Sequence, residues 1–428
     1  MMKIGFSKED ISPPLGTPLG GYAVDRPCAG IHDPLYAKVL VLEQDGTYYA
    51  LVVLDLVGVD DALRASIACS LERYGIPQQH LIVAAIHSHA APWGNIPGKG
   101  SLEAVNREWM PQSELFAKYM ESVVEAVSRA VARAAGNLEP FTVRCAQGSA
   151  PAVGSNRHTG APAGGTMTAL EFRTESGRRL MVYRFGCHPT VLNAQNFLAS
   201  ADFPGAVESL LGVDQAMFLN GAAGDISTRF TRQAASFEEC QRMAQLTADH
   251  IRQLLQPHPF RKPQPLVGAW EDMVLQPRPI ETVESARQRL AQTQADLDQA
   301  EGEGRSPGEC RILRSYVEGA LVNLQAARTM DGLTGIPVRV AAFRFSGLNF
   351  ATIPGELFSS LLPEEPLGII GYANGYCRYL PDMAAYDSGC YEALAALVAR
   401  GESEKLMNKI RKRISSLPKT MEVNHESF

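Results

Sequence analysis

No apolar run in this 428-residue chain approaches the roughly 18 residues that cross a bilayer. The start, Lys3-Ile4-Gly5-Phe6, reads as a strand, and no charged segment followed by an apolar one precedes it, so no secretory signal is expected. An excess of basic charge is absent too. At a net charge of −6 the chain lacks the concentrated positive surface that nucleic-acid binding requires. Its one basic cluster, Lys405, Lys409, Arg411, Lys412 and Arg413, reads as a solvated helix face. The eight cysteines, from Cys28 to Cys390, form no CxxC pair and no zinc-finger spacing. A chain this long needs no disulfide staples, so reduced thiols in a cytoplasm are the expectation. What remains is an ordinary soluble protein, 45% hydrophobic and 20% charged. Its expected partner is a small-molecule substrate, with no nucleic acid and no stable membrane insertion; a homo-oligomer is left open.

One supersecondary pattern recurs. Residues 37–58, 168–188 and 337–354 each read as a strand, a turn and a returning strand, with Asp45-Gly46, Ser176-Gly177 and Ser346-Gly347 as the turns. The second hairpin runs into Gly186-Cys187-His188-Pro189, and the third into Pro354-Gly355-Glu356. After the first come a helix, about 62–74, and a buried strand, 81–86, that delivers His87-Ser88-His89. Apolar periodicity predicts helices over 113–135, 237–255 and 391–414, and residues 415–428 read as a loose tail. Residues 282–330, broken at 302–308, read as a protruding, largely solvated helical hairpin. The expected fold is α/β: mixed β-sheets built from repeated hairpins with flanking helices, plus this inserted antiparallel helical hairpin, in one domain over 1–414.

On a strand, residues i and i+2 face the same way, so His87 and His89 can address one site. Zinc takes imidazole, carboxylate and occasionally phenolate ligands. A lone His-x-His pair is more often a pair of satisfied strand-end histidines; His188 and Glu356 at the ends of two other hairpins favour a metal. Asp202 and Asp225 stand beside proline or glycine and read as turn or cap residues. Tyr376 and Tyr386 read as packing tyrosines, and His32 as a hydrogen-bonding residue of a loop. Five histidines (His80, His158, His250, His258 and His425) carry no assigned role.

Taken together, several segments resemble the neutral/alkaline ceramidase family. They are Asp10-Ile11-Ser12-Pro13-Pro14-Leu15-Gly16, Gly20-Gly21-Tyr22, Gly30-Ile31-His32-Asp33, His87-Ser88-His89 with Pro92, and Asn156-Arg157. Further along come His188-Pro189-Thr190-Val191-Leu192, Ser200-Ala201-Asp202-Phe203-Pro204-Gly205, Asn220-Gly221-Ala222-Ala223-Gly224-Asp225, Pro354-Gly355-Glu356, and the tyrosines Tyr372, Tyr376, Tyr379, Tyr386 and Tyr391. The resemblance runs in order from residue 4 to about 393. It implies a zinc ion held by His87, His188, Glu356 and Tyr379, with His89, Arg157 and Tyr391 facing the substrate.

The chemistry it implies is hydrolysis of an amide by a zinc-activated water. In that scheme His89 moves a proton to the leaving amine, in a pKa range suited to the task. Tyr391 and Arg157 donate to the substrate, and Tyr379 binds as a phenolate. The chain departs from the family pattern in three ways. No counterpart of the family's signal peptide and C-terminal sandwich domain is expected. Its Ser-Gly-Pro after the histidine pair becomes Ala90-Ala91-Pro92 with Trp93 following. The segments after Tyr379 and before Tyr391 also differ. The last two changes fall on the pocket wall, and a cytoplasmic enzyme would rarely meet membrane ceramide, so the expected substrate is a soluble N-acyl compound rather than ceramide. A zinc esterase or lactonase, or a non-catalytic ligand-binding protein on the same fold, are the alternatives.

Overall fold

The structure is a computed structural model that describes residues 2–418 except 23, 107–109, 331 and 365. Residues 419–428 of the expected tail, with His425, lie outside the described residues.

Twelve of the strands form three units of four. The first holds β1 (Lys3–Asp10), β2 (Tyr36–Gln44), β3 (Thr47–Leu54) and β4 (Leu81–Ala85). The second holds β5 (Glu139–Ser149), β6 (Thr166–Thr174), β7 (Arg179–Phe185) and β8 (Gln215–Asn220). The third holds β9 (Val267–Leu275), β10 (Ile336–Phe345), β11 (Leu348–Thr352) and β12 (Gly368–Ile370). Each unit repeats one topology. The first strand is antiparallel to the second, the second pairs with the third as a hairpin, and the fourth lies parallel to the third. The first two units join in one eight-stranded sheet through only two residue pairs, Lys3↔Pro140 and Ile4↔Glu139. The third is a sheet of its own.

Local chemistry sets the hairpins. Asp45 and Gly46 both take positive φ (52° and 82°), as do Ser346 and Gly347 (47° and 82°). That pair of left-handed residues makes a two-residue turn whose twist matches the strands it joins. Parallel strands need a crossover instead. In the first unit it is α1 (Asp61–Leu71), capped by Asp60, whose carboxylate accepts from Leu63 N at 2.6 Å.

A helix covers the outer face of each unit: α2 (Glu114–Gly136) packs on β1 and β2. The crossover of the second unit is α3 (Asp202–Leu211), and α4 (Phe237–Leu255) lies on β5 and β6. Gly5 is needed under α2, because a Cβ there would sit 1.9 Å from Ala134 O. The inner faces of all three units meet around an apolar cavity of about 340 Å³, lined among others by Leu42, Phe172 and Phe343.

The helical hairpin consists of α5 (Val283–Gly302) and α6 (Pro307–Thr329), so its breakpoint is where the sequence places it. It is less detached than expected. Val322, Ala326 and Met330 belong to the core of the third unit. Gly319 packs so closely that a Cβ would lie 2.9 Å from Leu394 and 3.6 Å from the Tyr391 ring. The last predicted helix is in fact two, α7 (Tyr391–Ala395) and α8 (Glu402–Ser416), the latter against β9 and β10. Between them the backbone bonds sideways, with Arg278 N donating to Leu397 O and Ala399 N to Gln276 O, both at 2.8 Å. Those bonds replace helical ones, and Gly401 at φ 89° restarts the helix. Among the described residues no helix is long and apolar enough to cross a membrane.

Candidate metal centre

β4 ends at Ala85, so His87 and His89 do not lie on a strand and the two-residue periodicity is not what brings them together. His87 instead takes φ 69°, a left-handed conformation that costs about 1–3 kcal/mol outside glycine and is tolerated only where its surroundings hold it. Three bonds do so. His87 N donates to Leu56 O (3.0 Å), Ile86 N to Leu54 O (3.1 Å), and Asn220 Nδ2 to Ile86 O (3.1 Å).

The ring of His87 lies over Tyr372, with centroids 4.0 Å apart, and its Nδ1 meets Val57 O at 2.6 Å. His188 repeats the device, with Nδ1 3.0 Å from Ile226 O. A carbonyl only accepts, so both Nδ1 atoms carry the proton and both Nε2 atoms present a lone pair. Those lone pairs face Glu356. Its Oε2 lies 3.0 Å from His188 Nε2 and 3.6 Å from His87 Nε2. His188 Nε2 is fully buried and makes no hydrogen bond. Two unprotonated nitrogens and a carboxylate oxygen turned on one another in a dry site are a poor arrangement without a cation and a good one around it. The donor set therefore fits a metal ion.

Glu356 is held by two phenols: Tyr376 Oη donates to Oε1 at 2.5 Å and Tyr372 Oη to Oε2 at 3.4 Å. Tyr376 is thus part of the site, not a packing residue, and Trp93 backs it edge-on at 5.1 Å. Tyr379 sits directly across from Glu356 in a short parallel pairing. Its hydroxyl accepts from Arg157 Nη1 at 3.3 Å, and its ring meets Tyr391 edge-on at 5.9 Å. Burial and Glu356 push the Tyr379 phenol well above its ordinary value, while Arg157 pulls the other way. Burial opposes the charge on Arg157, but Tyr379 and Glu392 outweigh it and keep the guanidinium charged.

His89 differs from the other two. Its Nε2 lies 3.2 Å from His87 Nε2, and one ring nitrogen from each of His87, His89 and His188 lies within 4.8 Å of the others. Its Nδ1, however, has no partner, so no carbonyl fixes its tautomer. Packing fixes the ring instead. Tyr22 meets it edge-on at 4.9 Å, and Gly21, at φ 86°, leaves room where a Cβ would come within 2.4 Å. Arg26 Nη2 holds the His89 carbonyl at 2.7 Å.

Burial pushes His87 down to about 3, against the pull of Glu356, and drives His188 and His89 well below the ordinary histidine range. His87, His188, Arg157 and Arg26 add to the effect on His89. The sequence-based expectation of a near-neutral His89 is therefore corrected. All three imidazoles rest neutral, so His89 starts as a proton acceptor.

Asp202 and Asp225, read from the sequence as turn or cap residues, serve instead as ties between segments. Asp202 accepts from Leu192 N (3.0 Å) and Phe203 N (2.8 Å), folding the loop after His188. Asp225 accepts from Asn156 Nδ2 (2.8 Å) and Ser359 N (2.7 Å), tying the Arg157 loop to the Glu356 segment. His32 bonds Asp33 at 2.8 Å and stacks on Phe237, and Tyr386 Oη bonds Val398 O, both away from the histidine cluster. Sequence reasoning missed Asn220 and Glu392 as residues that hold the centre, although Asn220 opens one of the quoted segments.

The family profile described as "Neutral/alkaline non-lysosomal ceramidase, N-terminal" matches residues 2–222. The chain belongs to the neutral/alkaline non-lysosomal ceramidase family. Membership carries amide-bond hydrolysis of the ceramide type. The matched span includes His87, His89, Arg157 and His188 and stops before Glu356, Tyr379 and Tyr391.

Solved structures extend the likeness of fold over nearly the whole chain. The neutral ceramidase from Pseudomonas aeruginosa superposes with a TM-score of 0.72 at 17% identity, covering 96% of this chain and 74% of that one. A ceramidase complexed with C2 gives 0.70 at 15%, with the same coverage. No curated protein sequence matches this chain.

Proposed function

We propose that this ceramidase-family chain is a zinc-dependent hydrolase of N-acyl amides, with His87, His188, Glu356 and Tyr379 as the ligands. The observation that carries the reading is the pair of buried Nε2 lone pairs, fixed by carbonyls on Nδ1 and aimed at the Glu356 carboxylate. Zinc bound there would supply Lewis acidity, activating water at neutral pH and polarising a carbonyl.

The chain's own residues do the rest. His89, neutral and with no partner on Nδ1, takes a proton on that nitrogen and passes it to the leaving amine. Arg157, permanently charged, donates toward the carbonyl oxygen or a polar substrate group, and Tyr391 offers a second donor beside it. Tyr372 and Tyr376 hold Glu356 in place. Tyr372 and Glu356 are buried and His89, Arg157, Tyr376 and Tyr391 partly so, which limits the competition of bulk water for their hydrogen bonds.

We take the substrate to be a soluble small molecule, because the departures from the family pattern fall on the pocket wall. We place the enzyme in a cytoplasm, which the eight unpaired cysteines support. A second reading, a substrate presented by a lipid aggregate, is favoured by one observation. Val24, Ile31 and Phe197, on the two loops around His89, are 52%, 46% and 41% exposed.

The deciding experiment is hydrolysis of a panel of N-acyl amides and matched acyl esters, short-chain in water and long-chain in mixed micelles. Each is assayed before and after chelation and zinc return. Zinc-restored cleavage of short-chain amides is the expected result. Cleavage confined to micellar substrates establishes the second reading, and a metal-loaded protein that cleaves no amide overturns the proposal.

A further inference from the structure

Outside Arg157 lie three side chains of metal-ligating type, His158, Cys390 and Glu392, of which the proposed site uses only Glu392, as the partner of Arg157. The imidazole nitrogen, thiol and carboxylate oxygen all lie within 4.8 Å of one another. Glu392 is 2% exposed, and its two oxygens face different neighbours. Oε1 accepts from Arg157 Nη1 at 3.1 Å. Oε2 is buried and stands 3.2 Å from His158 Nε2, a pairing that, against burial, holds the Glu392 carboxyl down to about 2. The His158 side chain is 41% exposed, so an ion from solvent has access. The arrangement is also held in advance. Asn156 Oδ1 accepts from His158 N at 2.9 Å, while Cys390 immediately precedes α7.

We propose that His158, Cys390 and Glu392 form a second site for a thiophilic divalent ion such as zinc, and that filling it slows the centre next door. One imidazole, one thiolate and one carboxylate suit zinc or cobalt, with solvent completing the shell. Three ligands at a half-open position bind more weakly than a buried set, so this site fills after the first. Binding displaces the thiol and imidazole protons to water. The slowing follows from a shared carboxylate. Glu392 balances Arg157, which in turn bonds Tyr379. A dication on Oε2 takes up much of that negative charge, and Arg157 loses the partner that positions it.

The binding half stands independently of the hydrolase reading; the rate half rests on it. The test titrates protein already carrying one metal equivalent with cobalt(II). The expected result is one further equivalent and a thiolate-to-cobalt charge-transfer band in the near ultraviolet. The band is absent in Cys390→Ser, and the further equivalent is lost in the Cys390→Ser/His158→Ala double variant. With excess zinc, hydrolysis by the parent falls about tenfold, the scale on which a metal centre responds to disturbed outer partners. The double variant keeps its full rate. A band that survives Cys390→Ser, or inhibition as strong in the double variant, overturns the proposal. A parent that binds the second equivalent with its band but hydrolyses nothing, with or without it, sustains the site and counts against the hydrolase reading instead.

Discussion

The first and second units share one strand order yet exchange the duties of their third and fourth strands. In the first, the chain leaving β3 supplies the carbonyl of Val57 and the chain leaving β4 supplies His87. In the second, the chain leaving β7 supplies His188 and the chain beyond β8 supplies the carbonyl of Ile226. Each histidine is oriented by its own unit, through a bond from Nδ1 to the neighbouring strand's exit. The difference separates topology from chemistry. A repeated hairpin with a parallel fourth strand guarantees two adjacent chain exits at one end of a sheet, and which exit carries the imidazole is free to vary. The third unit uses both, with Glu356 after β11 and Tyr372, Tyr376 and Tyr379 after β12.

If the exchange is functionally even, the two histidines are equivalent as ligands and breaking either has the largest effect available. His87→Ala and His188→Ala should each lose most of the zinc and nearly all activity while the chain still folds around its large core. Elemental analysis of dialysed protein checks this. A full metal complement in either variant removes that residue from the ligand set.

A smaller effect is expected at His89, the histidine that belongs to neither arrangement because no carbonyl holds its Nδ1. His89→Ala should keep its zinc and lose about 10²–10⁴-fold in kcat, the usual contribution of a positioned proton carrier. Substrates with better leaving groups should recover part of that loss, since they need less protonation, whereas no leaving group should rescue His87→Ala. Metal loss in His89→Ala equal to that in His87→Ala would make it a third histidine ligand, as its 4.8 Å grouping with the other two allows, and would move the proton transfer to Tyr391.

What could be seen in the sequence follows the range of the interactions. Asp45-Gly46 and Ser346-Gly347 are turns because of the backbone freedom of those very residues, so the hairpins were legible locally. The boundaries of α4 and the break between α5 and α6 were legible for the same reason, from periodicity and from Gly302 to Pro307. The Glu356, His188 and His87 positions followed from hairpin ends and from the family resemblance.

The misreadings all come from long-range bonds. The His87 turn depends on a bond between Ile86 and Asn220, 134 positions apart. The gap between α7 and α8 depends on backbone partners at 276–278. Tyr376 reads as a packing residue until Glu356 is seen at its hydroxyl. The partial burial of α6 could not be read from the Gln, Glu, Arg and Ala content of residues 282–330, because its packing partners are contributed by α7 and the third unit.

The smallest expected effect, and the one that sharpens the comparison most, is at Asn220, the fully buried residue where the three units touch. Its Nδ2 donates to Ile86 O, one residue before His87. Its Oδ1 accepts from Cys187 N at 3.2 Å, one residue before His188. Its own carbonyl accepts from Gly371 N at 2.8 Å, one residue before Tyr372. Asn220→Asp preserves the shape, the backbone link and the oxygen that serves Cys187, but an ionised carboxylate cannot donate to Ile86 O. Only the link to the His87 turn is cut, leaving a buried carbonyl unpaired at a cost of about 1–3 kcal/mol. Because that carbonyl immediately precedes a residue in a left-handed conformation, the cost should fall on the placement of His87 more than on the fold. Zinc affinity, measured by chelator competition, should drop about 10–100-fold, as when other outer partners of metal ligands are removed. The His188 side should be spared. In the cobalt-substituted protein, the proton-resonance shift of the His188 Nδ1–H should stay at its parent position while that of His87 moves. Unchanged zinc affinity would show that the left-handed turn is held well enough by Leu54 and Leu56 alone, and equal movement of both resonances would show that Asn220 serves the two units without distinction.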